Sequence, residues 1–107
     1  MKKAADDLQD LGRFSEPALF IMISLADGPK HGYAMTEDIA HISGQRLGPG
    51  TLYGGIMRLE AKGWIEPLPS DDRRRPYRLT KVGYRVLKQR LNAMTAMARV
   101  AHARLAT

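Results

Sequence analysis

Three short stretches of this chain carry side chains suited to gripping an anion. The first runs from Gly48 to Gly63 and offers Thr51, Tyr53, Arg58 and Lys62 together with Gly50, Gly54 and Gly55. Hydroxyls donate to phosphate oxygens, and a guanidinium binds a phosphate or the edge of guanine through two parallel N–H donors. Glycines beside them let the backbone come close to whatever is gripped. The second stretch is Asp71-Asp72-Arg73-Arg74-Arg75, and the third is His31-Gly32-Tyr33, which can present the free N–H groups of a helix start to a phosphate.

Other chemistries have little to work with. The three histidines stand at 31, 41 and 102, with no i, i+4 pair and no cysteine beside them, so no metal site is expected. No nucleophile–base pairing stands out, so neither an enzyme nor a cofactor is expected. Gly48-Pro49-Gly50 with Gly54-Gly55 has a superficial likeness to a dinucleotide fingerprint, but Tyr53 occupies the third glycine's place and no strand precedes it. A net charge of +6 favours an anionic partner, nucleic acid or a membrane surface. The longest apolar run, Pro17 to Ala26, is too short to span a bilayer, and Asp6, Asp7 and Asp10 stand where a signal peptide would be apolar. The expectation is a cytoplasmic protein with no membrane partner. At 107 residues it is one domain with a small core, which oligomerisation would supplement.

The elements that must position these residues follow from caps and periodicity. Met1 to Gly12 reads as a marginal arm helix carrying Leu8 and Leu11, with Phe14 after them. Ser15 is placed to cap a second helix with Glu16 and Pro17 in its first turn, and its run from Ala18 to Ala26 is apolar on all sides, so this helix should be buried. Asp27-Gly28-Pro29 turns the chain into a helix starting near His31, with Met35, Ile39 and Ile42 as its buried stripe. After a polar turn, Gly48 suits the N-cap, Pro49 the first helical position and Gly63 the C′ position of the next helix. Its inner stripe is Leu52, Ile56 and Leu59. Helix, turn, helix of this kind is helix-turn-helix geometry.

Beyond Gly63, Trp64-Ile65 begins a short strand that Pro67 and Pro69 cut off, and Tyr77-Arg78-Leu79 alternates as a second strand. Two strands around a basic tip make a wing. Thr80 caps a last helix on which Tyr84, Leu87, Leu91, Met94, Ala98, Ala101 and Leu105 recur at alternating spacings of three and four, an unbroken heptad seam. Ala93, Met97 and Val100 widen it. So small a domain has little left to cover so long a stripe, so the seam is expected to form a homodimer, with Leu8, Leu11 and Phe14 packing on the partner's seam.

Several of these stretches in one order resemble the PadR family of bacterial transcriptional regulators. The residues that carry the likeness are His31-Gly32-Tyr33, Gly50-Thr51-Leu52-Tyr53, Arg58-Leu59-Glu60, Gly63-Trp64-Ile65, Arg75-Pro76-Tyr77-Arg78-Leu79-Thr80 and Gly83, spanning most of the chain. The family commonly has proline and a small or apolar residue where Gly54-Gly55 stand here. The resemblance implies a winged helix-turn-helix that dimerises through its C-terminal helix and usually represses transcription. Some relatives answer to phenolic acids or planar cationic drugs near the dimer interface. This last helix has no Trp of the kind some drug-binding relatives use, and the small-molecule effector stays unassigned.

The expected architecture is therefore mainly α with a small β-hairpin: a winged helix-turn-helix over 1–80 and a dimerisation helix over 81–107, continuous with it. The expected function is sequence-specific binding of double-stranded DNA at an inverted repeat. The contacts would come from His31, Tyr33, Gly50, Thr51, Tyr53, Gly54, Arg58, Arg73, Arg74 and Arg75. A winged-helix protein-interaction module that binds no DNA is the competing class; the wing arginines and the Arg58–Lys62 face argue for DNA.

Overall fold

In a computed structural model, residues 16–71 and 73–107 are described. The arm residues Leu8, Leu11 and Phe14 and the cap Ser15 lie outside them. Helix α1, Glu16–Ser24, continues as a 3-10 turn, Leu25–Asp27. Helices α2, Gly32–Ser43, and α3, Pro49–Ala61, form the helix-turn-helix pair. Strands β1, Ile65–Pro67, and β2, Tyr77–Leu79, pair antiparallel with Ile65 opposite Leu79, Glu66 opposite Arg78 and Pro67 opposite Tyr77. Helix α4, Lys81–Leu105, completes the order. This is the mainly helical winged fold with a small hairpin that the sequence implies.

Local chemistry explains the ends of α3. Gly48 is the N-cap and Pro49 opens the helix. At the other end Trp64 N–H donates to the Leu59 carbonyl at 3.1 Å and Gly63 N–H to that of Glu60 at 2.9 Å. That pair of bonds is a Schellman closure, and it needs the left-handed φ of 76° that Gly63 supplies.

The core joins Ile21, Met22 and Leu25 of the first segment to Met35 and Ile39 of α2 and to Leu52, Ile56 and Leu59 of α3. Ile65, Leu79 and Leu87 close it from the wing and α4. Two expectations change here. Helix α1 is not buried all round, because Leu19, Phe20 and Ile23 are only partly covered. Ile42 is exposed, because the last turn of α2 runs past the edge of the core.

The turn between α1 and α2 is stapled by charge. Ser24 Oγ, buried, donates to Asp38 Oδ2 at 2.7 Å, and Lys30 Nζ reaches the Ser24 carbonyl and the Asp27 carboxylate. The backbone of Lys30 then exchanges both hydrogen bonds with Tyr77, at 3.0 and 3.1 Å, so a third extended segment is sewn to the hairpin. The first strand ends at Pro67, which faces Tyr77 as its last paired residue. The ion pair Glu66–Arg78, 2.7 Å, crosses the same hairpin.

Helix α4 starts on the wing and leaves the core. Thr80 Oγ1 accepts from Gly83 N–H at 3.0 Å and donates to the Gly63 carbonyl at 2.7 Å. Tyr84 O–H donates to the Ala26 carbonyl at 2.9 Å. Leu87 is buried in the core of its own chain, so it is not a free seam residue as the heptad pattern suggested. Tyr84 is likewise tied to its own chain, though half exposed. From Lys88 onward every residue is exposed, including Leu91, Met94, Ala98, Ala101 and Leu105. No helix among the described residues is long and apolar enough to cross a membrane.

Candidate nucleic-acid interface

The fold brings together residues far apart in sequence. A cleft of about 400 Å³ is lined by Gly32 and Tyr33 at the start of α2, Tyr53 on α3, and Arg73, Arg74, Arg75 and Tyr77 of the wing. Five of the residues proposed for DNA contact on sequence grounds thus share one wall. Tyr33 is 69% exposed and Tyr53 50%, so both phenols reach solvent from a fixed base.

Gly32 explains how the tyrosine is held. A Cβ at residue 32 would stand 2.5 Å from the hydroxyl oxygen of Tyr53 and 3.0 Å from the ring carbon bearing it. The α3 tyrosine therefore crosses the start of α2 through the space a Cβ at residue 32 would take, and a larger residue there would push the phenol aside. His31, the N-cap residue, gives its carbonyl to Met35 N–H at 2.9 Å, and its buried Nδ1 has no hydrogen-bond partner among the described residues. Beneath the arginines, Tyr77 keeps its proton more tightly than a free phenol. Burial is the larger cause, and the Glu60 charge adds to it while Arg75 opposes. It stands there as a neutral hydrogen-bonding group.

A second groove, about 500 Å³, continues from Tyr33 and Tyr53 past Thr36 to Arg46 and the Gly48-Pro49 start of α3. Arg46 was not anticipated from sequence. Its guanidinium bonds Glu37 at 2.6 Å, which holds that carboxyl below its ordinary range and fixes a cation beside the start of α3. At the helix start a Cβ on Gly48 or Gly50 would meet nothing within 4 Å, and Thr51 is exposed.

The rest of α3 departs from the sequence reading in two ways. Gly55 does not face outward to admit DNA. It is buried, and a Cβ there would lie 2.7 Å from Ile21 Cδ1, so this glycine lets α1 and α3 approach each other. Arg58 is exposed but stands away from the tyrosine cleft. With Lys62 and Arg90 it rims a different cavity of about 320 Å³ whose apolar wall includes Leu19, Met22, Trp64 and Leu87. Lys62 Nζ sits 5.2 Å from the centre of the Trp64 ring. Gly54 lies beside Arg58, where a Cβ would come 3.5 Å from its Nη1.

Met57 is the outward residue that sequence reasoning passed over. It is 69% exposed. Its place was legible, since the buried set Leu52, Gly55, Ile56 and Leu59 follows i, i+3, i+4, i+7 and leaves 57 on the opposite side. No group of three or more His, Asp or Glu side chains able to hold a metal occurs among the described residues.

Comparison with known proteins agrees with this geometry. Residues 21–89 match the family model described as "Transcriptional regulator PadR-like family". The chain is 42% identical over 85 residues to an uncharacterized 37.1 kDa protein in transposon TN4556 of Streptomyces fradiae, covering 79% of this chain and 25% of that one. It therefore spans only a quarter of that relative's length. It is 38% identical over 84 residues to the transcriptional regulator Rv3488 of Mycobacterium tuberculosis, covering 76% of this chain and 78% of the relative. The fold matches the crystal structure of a PadR family transcription regulator from Clostridium difficile R20291 with a TM-score of 0.76 at 22% identity, covering 85% of this chain and 99% of that one. A winged helix-turn-helix with its cationic wing folded against the tyrosines of α2 and α3, matched by the family model over most of its length, belongs to the PadR-like family of transcriptional regulators.

Proposed function

We propose that this chain binds double-stranded DNA as a homodimer at an inverted-repeat operator and represses transcription there. The observation that carries the reading is the convergence of Tyr33, Tyr53 and the three wing arginines on one cleft beside the start of α3. Three guanidiniums and two exposed phenols suit phosphates and a groove wall, and such contacts give affinity and register. Helix α3 enters the major groove, with Gly50 and Thr51 at its leading end and Tyr53 beside them. Arg58, off on the flank, takes a phosphate or the edge of the site. His31 sets the start of α2 toward the backbone.

Dimerisation is supported by α4. A helix of 25 residues is about 37 Å long at 1.5 Å per residue, and only its first turns are covered by its own chain. Leu91, Met94, Met97, Val100 and Leu105 lie along the uncovered part. Two-fold symmetry of such a pair imposes a two-fold operator. Selection of bound duplexes from a random pool, with light scattering of the free protein, tests both halves. An inverted-repeat consensus and a dimeric mass are expected. A monomeric protein, or a pool that never converges, overturns the proposal.

A further inference from the structure

Helix α3 turns Leu52, Gly55, Ile56 and Leu59 into the core. At about 100° per residue, the opposite side is centred near Met57. That side chain is 69% exposed, more than the 50% of Tyr53 on the same helix. One turn before and after it, Gly54 and Ala61 carry nothing longer than a methyl, which leaves the space between Tyr53 on one side and Arg58 on the other to this side chain. The cations lie to either side, with Arg58 on one flank and the wing arginines beyond Tyr53 on the other. A long thioether thus stands at the middle of the face that the DNA-binding reading puts into the major groove.

Chemistry narrows what it can recognise there. A thioether donates no hydrogen bond and accepts only weakly, so it cannot read the donor and acceptor pattern of base edges. The major groove displays one apolar group, the C5 methyl of thymine. Methionine's unbranched, polarizable chain has the reach and the rotatable bonds to settle against it. We propose that Met57 is a specificity-determining residue of the DNA site and reads a thymine methyl in each half-site. This rests on the DNA-binding reading above.

The test replaces each thymine of the selected duplex in turn by deoxyuridine, which removes that methyl and leaves base pairing intact. Binding is read by fluorescence anisotropy with the full chain. Removing one buried methyl weakens wild-type binding about fourfold per half-site, about sixteenfold when both half-sites are changed. The effect should appear at one thymine position per half-site. Met57→Ala should bind the thymine duplex about as weakly as wild type binds the deoxyuridine one, and should show no further loss on the exchange. Met57→Leu should recover part of the discrimination. Because residue 57 is exposed, circular dichroism melts of both variants should match wild type. Wild-type indifference to deoxyuridine at every thymine overturns the inference while leaving DNA binding intact, as does an undiminished penalty in Met57→Ala or a consensus without thymine. Failure to prefer any duplex overturns the DNA-binding reading itself, and the inference with it.

Discussion

Gly83→Ala should destabilise the protein severely, although it sits in a helix where alanine is ordinarily preferred. A Cβ at residue 83 would lie 2.0 Å from the Trp64 carbonyl oxygen and 2.9 Å from its carbon, with Leu79 Cδ2 at 3.2 Å. The obstacle is backbone, so no rotamer change relieves it. Reaching an ordinary contact of 3.4 Å moves the start of α4 about 1.4 Å away from the wing base. That displacement strains three hydrogen bonds: Thr80 N–H to the Trp64 carbonyl at 3.0 Å, Thr80 Oγ1–H to the Gly63 carbonyl at 2.7 Å and Gly83 N–H to Thr80 Oγ1 at 3.0 Å. Each contributes about 1 kcal/mol, the last being a helix cap. Removing glycine from the helix returns at most about 1 kcal/mol. With overpacking at Leu79 added, the net loss is about 2–4 kcal/mol. For a domain this size that lowers the melting midpoint by roughly 10–25 °C. Urea and thermal unfolding followed by circular dichroism, at one protein concentration, measure it. Gly50→Ala is the control, since a Cβ there meets nothing within 4 Å and the variant should melt at or slightly above wild type. A Gly83→Ala midpoint equal to wild type or higher refutes the steric argument.

Leu91→Glu should yield monomer or unfolded protein at micromolar concentration, read by light scattering, because a charge on an apolar seam that the proposed dimer covers is costly; a variant that stays dimeric would show the seam lies elsewhere. Arg74→Ala should weaken binding to all duplexes alike. It should also reduce the slope of log affinity against log salt by roughly 1 for each phosphate no longer neutralised, about 2 for a dimer. An unchanged slope, or a changed consensus, would contradict a phosphate role. Glu37→Gln tests the Arg46 pair by pH. The Glu37 carboxyl is held below its ordinary range by that guanidinium, so its contribution is present above the unfolded value of about 4.3 and is lost as pH falls through the folded one. Both groups are exposed, so the effect is small. The urea midpoints of variant and wild type should differ slightly at pH 7 and converge as acid protonates the folded-state carboxyl, and a gap that widens in acid would reverse the sign.

What could be read from sequence was whatever depends on neighbours along the chain. Gly48, Pro49 and Gly63 mark the ends of α3 because capping is local, and Thr80 marks the start of α4 for the same reason. What escaped depends on cover from elsewhere. Gly55 has no side chain to count as apolar, so its place in the inner stripe was overlooked, although the spacing from Leu52 and Leu59 contained it. Leu87 and Leu91 have the same heptad character, but the first meets its own core and the second does not. Periodicity cannot separate a seam within one chain from a seam between two. The packing of Tyr53 across Gly32, and of Gly83 on the Trp64 carbonyl, joins segments that only the tertiary fold brings together. The assembly of Tyr33, Tyr53 and Arg73–Arg75 into one cleft is of the same kind: the residue types were recognisable, their meeting was not.

The claim on which the rest depends is that the cleft and α3 bind DNA by sequence. Selecting duplexes from a random pool and titrating the consensus against a shuffled duplex by anisotropy, at moderate salt, tests it most directly. The account predicts an inverted repeat with half-site centres about 34–36 Å apart or a multiple of that. It should bind at least about a thousandfold more tightly than the shuffled duplex. Equal affinity for the two duplexes, or a pool that never converges, would contradict it.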